Sequence, residues 1–243
     1  MGRFSDTIVL VTGGTSGIGL AIAEAFLAQG ASVAICARSE SILAQFRTDH
    51  PTAFAVRADI IDPTAQSALL DAVISHFGRL DILVNNAGGL VEHDFMTAPP
   101  AADALADDLA LNLLAPIQLT SAVLARCSGL RALIFVTSGY ALVAPRRSPT
   151  YGAAKAGLRA FLKALRRQVG TRNLHVLEVL PPSVDTPAIA HRKVKKVSPQ
   201  SVAQATLDAL AARRPEALVG QVRVLPMMLR IAPGMIERLV AEE

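Results

Sequence analysis

The sequence predicts a doubly wound α/β domain, a seven-stranded parallel sheet with helices on both faces. Three observations carry this. Short β-branched runs alternate with longer amphipathic stretches along the whole chain. The strand runs are apolar almost throughout, as in strands covered on both faces. Connections are short, and no repeat, low-complexity tract or linker divides the 243 residues, so one domain over 1–243 is expected. Right-handed crossovers then restrict such an alternation to a doubly wound sheet.

Each element has its own signal. Thr7–Thr12 is a buried-strand pattern. The helix from Ile18 to Gln29 carries Ile18, Ile22, Ala25 and Phe26 on one face and stops at Gly30, a residue suited to the position after a helix. Ser32–Cys36 is the second strand, Ser39–Thr48 a helix and Ala53–Arg57 the third strand. Asp62 and Pro63 supply an N-cap and a first-turn proline for a helix that ends at Phe77 before Gly78. Asp81–Val84 is the fourth strand, Pro99–Arg126 holds one long helix, and Arg131–Thr137 is the fifth strand. Ser148 and Pro149 open a helix to about Val169, and His175–Leu180 is the sixth strand. Ser198 and Pro199 cap a helix ending near Arg213, Leu218–Leu225 is expected as the seventh strand, and a short helix follows Pro233.

Composition removes several function classes. Hydrophobic residues make up 51% and charged residues 18%, which is incompatible with intrinsic disorder. The richest apolar stretch, Ala104 to Leu119, is interrupted by Asp107, Asp108, Asn112 and Pro116, so no membrane span is expected. A net charge of +4 with 4% aromatics and no long basic stripe argues against a nucleic-acid partner. Two cysteines, Cys36 and Cys127, are too few for a disulfide framework. With no signal-peptide pattern at the N-terminus, a reducing cytoplasm is expected. The histidines and cysteines show no metal-ligand spacing, so carbonyl chemistry without zinc is expected.

The end of the first strand reads Thr12-Gly13-Gly14-Thr15-Ser16-Gly17-Ile18-Gly19. Gly13 permits the tight turn out of the strand, Gly17 lets backbone approach a pyrophosphate, and Gly19 lets the helix pack close to the sheet. The helix N-terminus offers free N–H groups and a positive dipole end to the anion. The spacing is looser than G-x-G-x-x-G, but its place between a strand and a helix is the one a dinucleotide loop requires. At the end of the second strand no acid stands ready for a ribose 2′-hydroxyl; Arg38 and Ser39 stand there instead and could hold the 2′-phosphate of NADP. NADP(H) is therefore favoured over NAD(H).

The chain has two tyrosines, Tyr140 and Tyr151. Tyr151 and Lys155 lie at i, i+4 on the helix opened by Ser148 and Pro149, so they share a face. A first-turn phenol feels the helix dipole, and a nearby ammonium stabilises its anion; both are expected to lower its pKa towards neutrality. Tyr151 then serves as proton donor to a developing alkoxide, or as base in reverse. Ser138, at the C-terminal end of the fifth strand, is placed to hydrogen-bond a substrate carbonyl.

These residues resemble the short-chain dehydrogenase/reductases over nearly the whole chain. The glycine loop, Asp59 after the third strand, Asn85-Asn86-Ala87-Gly88 after the fourth, Asn112 on the long helix, and the set Ser138, Tyr151 and Lys155 all follow that family's order. The resemblance implies a single-domain Rossmann fold and an NADP(H)-dependent oxidoreductase that interconverts a ketone or aldehyde with an alcohol. Tyr151 would transfer the proton, Ser138 position the carbonyl, Lys155 bind the nicotinamide ribose and tune Tyr151, and Asn112 hold a water in a proton relay. Cofactor contacts would come from Gly13, Thr15, Ser16, Gly17, Ile18 and Gly19, then Arg38, Ser39, Asp59 and Ile60. Asn86, Ala87, Gly88, Tyr151, Lys155, Pro181, Val184 and Thr186 would complete them.

The chain also departs from the family. Pro181-Pro182-Ser183-Val184-Asp185-Thr186-Pro187 has Pro182 where a glycine is usual, in a form that looks like a bacterial subgroup. The tail 226–243 replaces a glycine-rich ending, which leaves a homodimer on the two long helices or a homotetramer open. A small-molecule carbonyl or alcohol substrate is expected, with Leu90, Tyr140 and Val143 flanking an apolar pocket. Arg146, Arg147 and the run His191–Lys196 in a lid segment at about 187–197 suggest an acidic substrate, or else a solvated charge run. A cofactor-sensing binding protein, or an isomerase or dehydratase using the cofactor transiently, stays open beside the oxidoreductase.

Overall fold

The computed structural model describes residues 2–241. Seven parallel strands run in the order β3-β2-β1-β4-β5-β6-β7. They are β1 (Ile8–Thr12), β2 (Ser32–Ala37), β3 (Phe54–Arg57), β4 (Ile82–Asn85), β5 (Ala132–Val136), β6 (His175–Leu180) and β7 (Glu216–Leu218). The strand order reverses between β1 and β4, so the crevice for a ligand lies at the carboxyl ends of those strands.

Alternation along each strand divides the core into two layers. Val9 and Val11 of β1 and Val33 and Ile35 of β2 face one side, where they meet α1 (Gly17–Ala28), α2 (Glu40–Asp49) and α7 (Pro199–Ala211) through Ile22, Phe26, Leu43, Phe46 and Val202. Leu10, Leu83, Leu133 and Phe135 face the other. There they meet α3 (Pro63–Phe77), α5 (Ala115–Arg126) and α6 (Pro149–Val169) through Leu69, Leu70, Leu119, Leu158 and Leu162. Asp62 caps α3 as expected, accepting from Thr64 N at 2.8 Å, and Gly78 ends it at φ 80°. Ser148 holds the N-cap position of α6 without capping it: its hydroxyl is buried and makes no hydrogen bond among the described residues.

Two expectations need correction. The last strand is Glu216–Leu218 and not Leu218–Leu225. Gly220 turns the chain at φ 55°, Gly220–Arg223 forms a 3-10 turn, and Pro226 sits in the first turn of α8 (Leu225–Ile231). The helix expected over Pro99–Arg126 is α4 (Ala102–Leu109) and α5 joined by a π turn at Ala110–Leu114. The stretch 102–126 is long and apolar enough to cross a membrane by length and composition. Here, however, Leu119 and Val123 are fully buried on the sheet. The tail helix is α9 (Pro233–Ala241); Glu242 and Glu243 of the expected tail lie outside the described residues.

The tail closes one end of the crevice. Leu225 and Ile236 are buried against Val143, Leu180 and Val222 in a third apolar cluster, with Met228, Leu229 and Val240 packed on it. The backbone of Arg146 donates to Ala241 O at 3.1 Å and ties α9 to the loop before α6.

Candidate active site

A cleft of about 630 Å³ runs along the carboxyl ends of the strands. Every residue expected at the site from sequence lines it, with one exception. Val143 does not: it is buried in the cluster beneath the tail helices, so its place is packing and not substrate contact.

At one end the glycine loop fits a dinucleotide. Gly13 and Gly17 adopt φ 64° and 53°, conformations that side chains resist. A Cβ on Gly19 would lie 2.2 Å from Gly13 O and 2.3 Å from Asn86 Nδ2, so only glycine lets α1 approach the loop this closely. Ser16 N-caps α1 by position but its side chain caps nothing, which leaves the helix N-terminus open to an anion. Asn86 Nδ2 donates to Thr12 O at 2.9 Å and Gly13 O at 3.2 Å, bracing β4 against the loop. Arg38 is exposed at the rim, where its carbonyl accepts from Arg57 Nε at 3.1 Å. Ser39 also caps α2, its Oγ accepting from Ile42 N at 3.5 Å, so its hydroxyl has a structural partner besides any phosphate.

At the centre Ser138, Tyr151 and Lys155 converge. Ser138 follows β5, and its Oγ accepts from Tyr140 N at 3.1 Å and shares a hydrogen bond with Tyr151. The rings of Tyr140 and Tyr151 meet edge to face at 6.5 Å. Lys155 Nζ donates to Val136 O at 3.1 Å and lies 5.5 Å from the centre of the Tyr151 ring.

This geometry overturns the expected direction of the Tyr151 shift. Burial pushes its phenol up to about 12, with Tyr140 and Asp108 adding to the rise and only the Ser138 hydrogen bond opposing it. The i, i+4 spacing does bring Lys155 to Tyr151, but over the ring and not beside the hydroxyl. Burial also pushes the Lys155 ammonium down to about 8, against the pull of Asp108. Desolvation decides both shifts.

Asn112 sits inside the π turn, a distortion common at functional sites. Its Nδ2 donates to Asp108 Oδ1 at 2.7 Å and Gly89 O at 2.9 Å, and its Oδ1 accepts from Gly89 N at 3.2 Å. The side chain therefore pins the glycine turn after β4. Asp108, which the sequence reading did not single out as a site residue, is buried and also accepts from Thr150 Oγ1. Its i, i+4 spacing to Asn112 was the available signal. Pro182 lines the cleft and packs near Gly220, where a Cβ would meet its Cγ at 3.3 Å.

Two further groups were missed or misjudged. The tail contributes Val224, Leu225, Met228, Ile236, Leu239 and Val240 to the wall beside Tyr140. Their i, i+3, i+4 pattern was readable, but nothing local says which surface it covers. In the basic run, Arg192 is buried, not solvated; its Nε donates to Glu92 Oε1 at 3.0 Å. Arg147 reaches the same carboxylate at 3.1 Å.

Comparison with known proteins gives a consistent answer. The family described as short chain dehydrogenase matches residues 7–196. An uncharacterized oxidoreductase of Bacillus subtilis, DltE, is 34% identical over 186 residues, which cover 76% of this chain and 74% of that protein. The 3-oxoacyl-acyl-carrier-protein reductase FabG of Escherichia coli is 34% identical over 188 residues, 76% of each chain. A short chain dehydrogenase from Burkholderia cenocepacia, solved with NADP, superposes with a TM-score of 0.76 at 30% identity, covering 88% of this chain and 95% of that one. One from Burkholderia phymatum, solved with NAD, has a TM-score of 0.81 at 21% identity over 95% and 96% of the two chains and shares the fold.

Proposed function

The chain belongs to the short-chain dehydrogenase family, and on that premise we propose that it is an NADP(H)-dependent oxidoreductase interconverting a ketone or aldehyde with an alcohol. The observation that carries this reading is the Ser138–Tyr151 hydrogen bond in one cleft with the open N-terminus of α1. A bound nicotinamide supplies or accepts the hydride. Ser138 and Tyr151 hold the substrate oxygen between two hydroxyl donors. With its phenol near 12, Tyr151 is protonated at neutral pH and is set to give its proton to the oxygen as negative charge develops there. Carbonyl reduction is the favoured direction by analogy with NADP(H) usage; alcohol oxidation needs the phenolate and gains with rising pH.

Lys155, buried with its Nζ over the Tyr151 ring, would meet a ribose hydroxyl of the cofactor. Asn112 acts by holding the Gly88–Gly89 turn, where a Cβ on Gly88 would lie 2.8 Å from its Oδ1. Arg38 and Ser39 support NADP(H) because no carboxylate precedes them at the rim. Leu90, Tyr140 and the tail helices favour a substrate with an apolar portion. The reductase named among the relatives supports the reductive direction. The two free cysteines support a cytoplasmic location. A homodimer on α5 and α6 is supported by Leu114, at the end of the π turn, and Leu124 of α5, both exposed, and a single-chain mass in sedimentation would refute it.

Calorimetric titration tests the cofactor: NADPH is expected to bind at least tenfold more tightly than NADH, and binding of neither removes the enzyme reading. Net NADPH consumption with a carbonyl panel separates reduction from the isomerase and dehydratase alternatives. Tyr151→Phe is expected to lose at least a hundredfold in turnover and keep cofactor affinity; unchanged turnover refutes the role of the phenol.

A further inference from the structure

Beside Tyr140 the cleft contains a cation whose hydrogen bonds are incomplete. Arg192 is buried, with its side chain 5% exposed, and it lines the cleft. Its Nε edge is taken by Glu92 Oε1 at 3.0 Å, and Nη1 stands 3.5 Å from the Tyr140 hydroxyl. Nη2 is buried and has no hydrogen-bond partner among the described residues. A buried guanidinium donor left without an acceptor is costly and uncommon in a folded protein.

Its counter-ion is shared. Glu92 answers Arg192 and also Arg147, at 3.1 Å, while His191 lies 4.0 Å away. One carboxylate is thus shared by two guanidiniums. Glu92 fixes the orientation of Arg192 from the Nε side and Tyr140 stands at Nη1, so Nη2 is the donor left for an acceptor. With Nη1 released from its long contact to Tyr140, Nη1 and Nη2 together form a fork that matches the two oxygens of a carboxylate.

We propose that Arg192 is a specificity-determining residue that binds a substrate carboxylate, so that the preferred substrates are carbonyl compounds carrying a carboxylate group. The inference rests on the oxidoreductase reading above and adds the substrate's second functional group. The carboxylate lies across Tyr140 from the Ser138–Tyr151 pair and takes no part in bond making, while the apolar wall of α8 and α9 covers the carbon skeleton. Glu92 is a positioning residue: it touches Arg192 and not the substrate.

The test uses the intact protein saturated with oxidised cofactor, so that it reads binding and needs no turnover. Hexanoate and methyl hexanoate are titrated by calorimetry. Hexanoate is expected to bind at least tenfold more tightly, and Arg192→Met should reduce that ratio at least tenfold, with Arg192→Lys restoring part of it. Arg192→Gln takes the place of Arg192→Met should the latter not fold. The same ratio, read as kcat/KM for matched oxo acids and their methyl esters with reduced cofactor, should fall in parallel. Equal affinity of the wild type for acid and ester overturns the proposal, as does a ratio that Arg192→Met or Arg192→Gln leaves unchanged. Failure of the protein to bind either cofactor would instead overturn the oxidoreductase reading, and the two failures are distinguishable.

Discussion

Replacing Lys155 by methionine should stabilise the protein at neutral pH while removing its activity. The ammonium is held at about 8 against an ordinary 10.5, chiefly because folding strips it of water. A group depressed in this way is charged in the folded state below about pH 8, at a cost. Wild-type stability rises as pH climbs from about 8 towards 10.5, where the unfolded chain still binds the proton and the folded chain has released it. The full difference corresponds to about 3 kcal/mol. Methionine has a similar volume and no charge, but it cannot donate to Val136 O, a loss of about 1 kcal/mol. The variant should therefore be more stable by about 2 kcal/mol at pH 7. At about pH 9.5 the wild type has recovered about 2 kcal/mol, and the gap should close. Tyr151, pushed up to about 12, titrates above this window. Urea unfolding at the two pH values measures the gap directly. A gap of the same size at both would refute the reasoning, because it would mean that no charge on Lys155 titrates between them. The expected outcome makes Lys155 a residue retained for chemistry at the expense of stability.

Arg38→Asp should move cofactor preference towards NADH by about tenfold to a hundredfold, since it exchanges a phosphate-binding cation for an acceptor of the ribose hydroxyl. Competitive titration of the two cofactors reads this, and an unmoved ratio would remove Arg38 as the phosphate contact. Gly19→Ala should lower stability by about 1–3 kcal/mol and abolish cofactor binding, because its methyl group would collide with the backbone of Gly13. A wild-type melting curve with wild-type cofactor affinity would show that the loop yields freely.

Much of the site was legible because its signals are local. The turn at Gly13 needs a positive φ, α1 needs Gly19 at its approach to the loop, and Tyr151 and Lys155 need only helical spacing to meet. The first six strands are short apolar runs between turn residues, and they fold where those signals put them. The seventh was misplaced because Leu218–Leu225 has strand composition throughout. Gly220 and Pro226 break the run, and helix α8 gains burial for Leu225 against Leu180 and Val222. The π turn around Asn112 had no local signal at all.

The sequence by itself determined the strand–helix alternation, the dinucleotide loop and the Ser138, Tyr151, Lys155 set, because periodicity, turn stereochemistry and helical spacing act within a few residues. Only the tertiary structure decided the rest. It placed α8 and α9 over the cleft, turned Val143 into the core, and joined Arg192 to Glu92 across the chain. It also reversed the expected shift of Tyr151, since a pKa follows desolvation, and desolvation depends on everything that packs around a side chain and not on its neighbours in sequence.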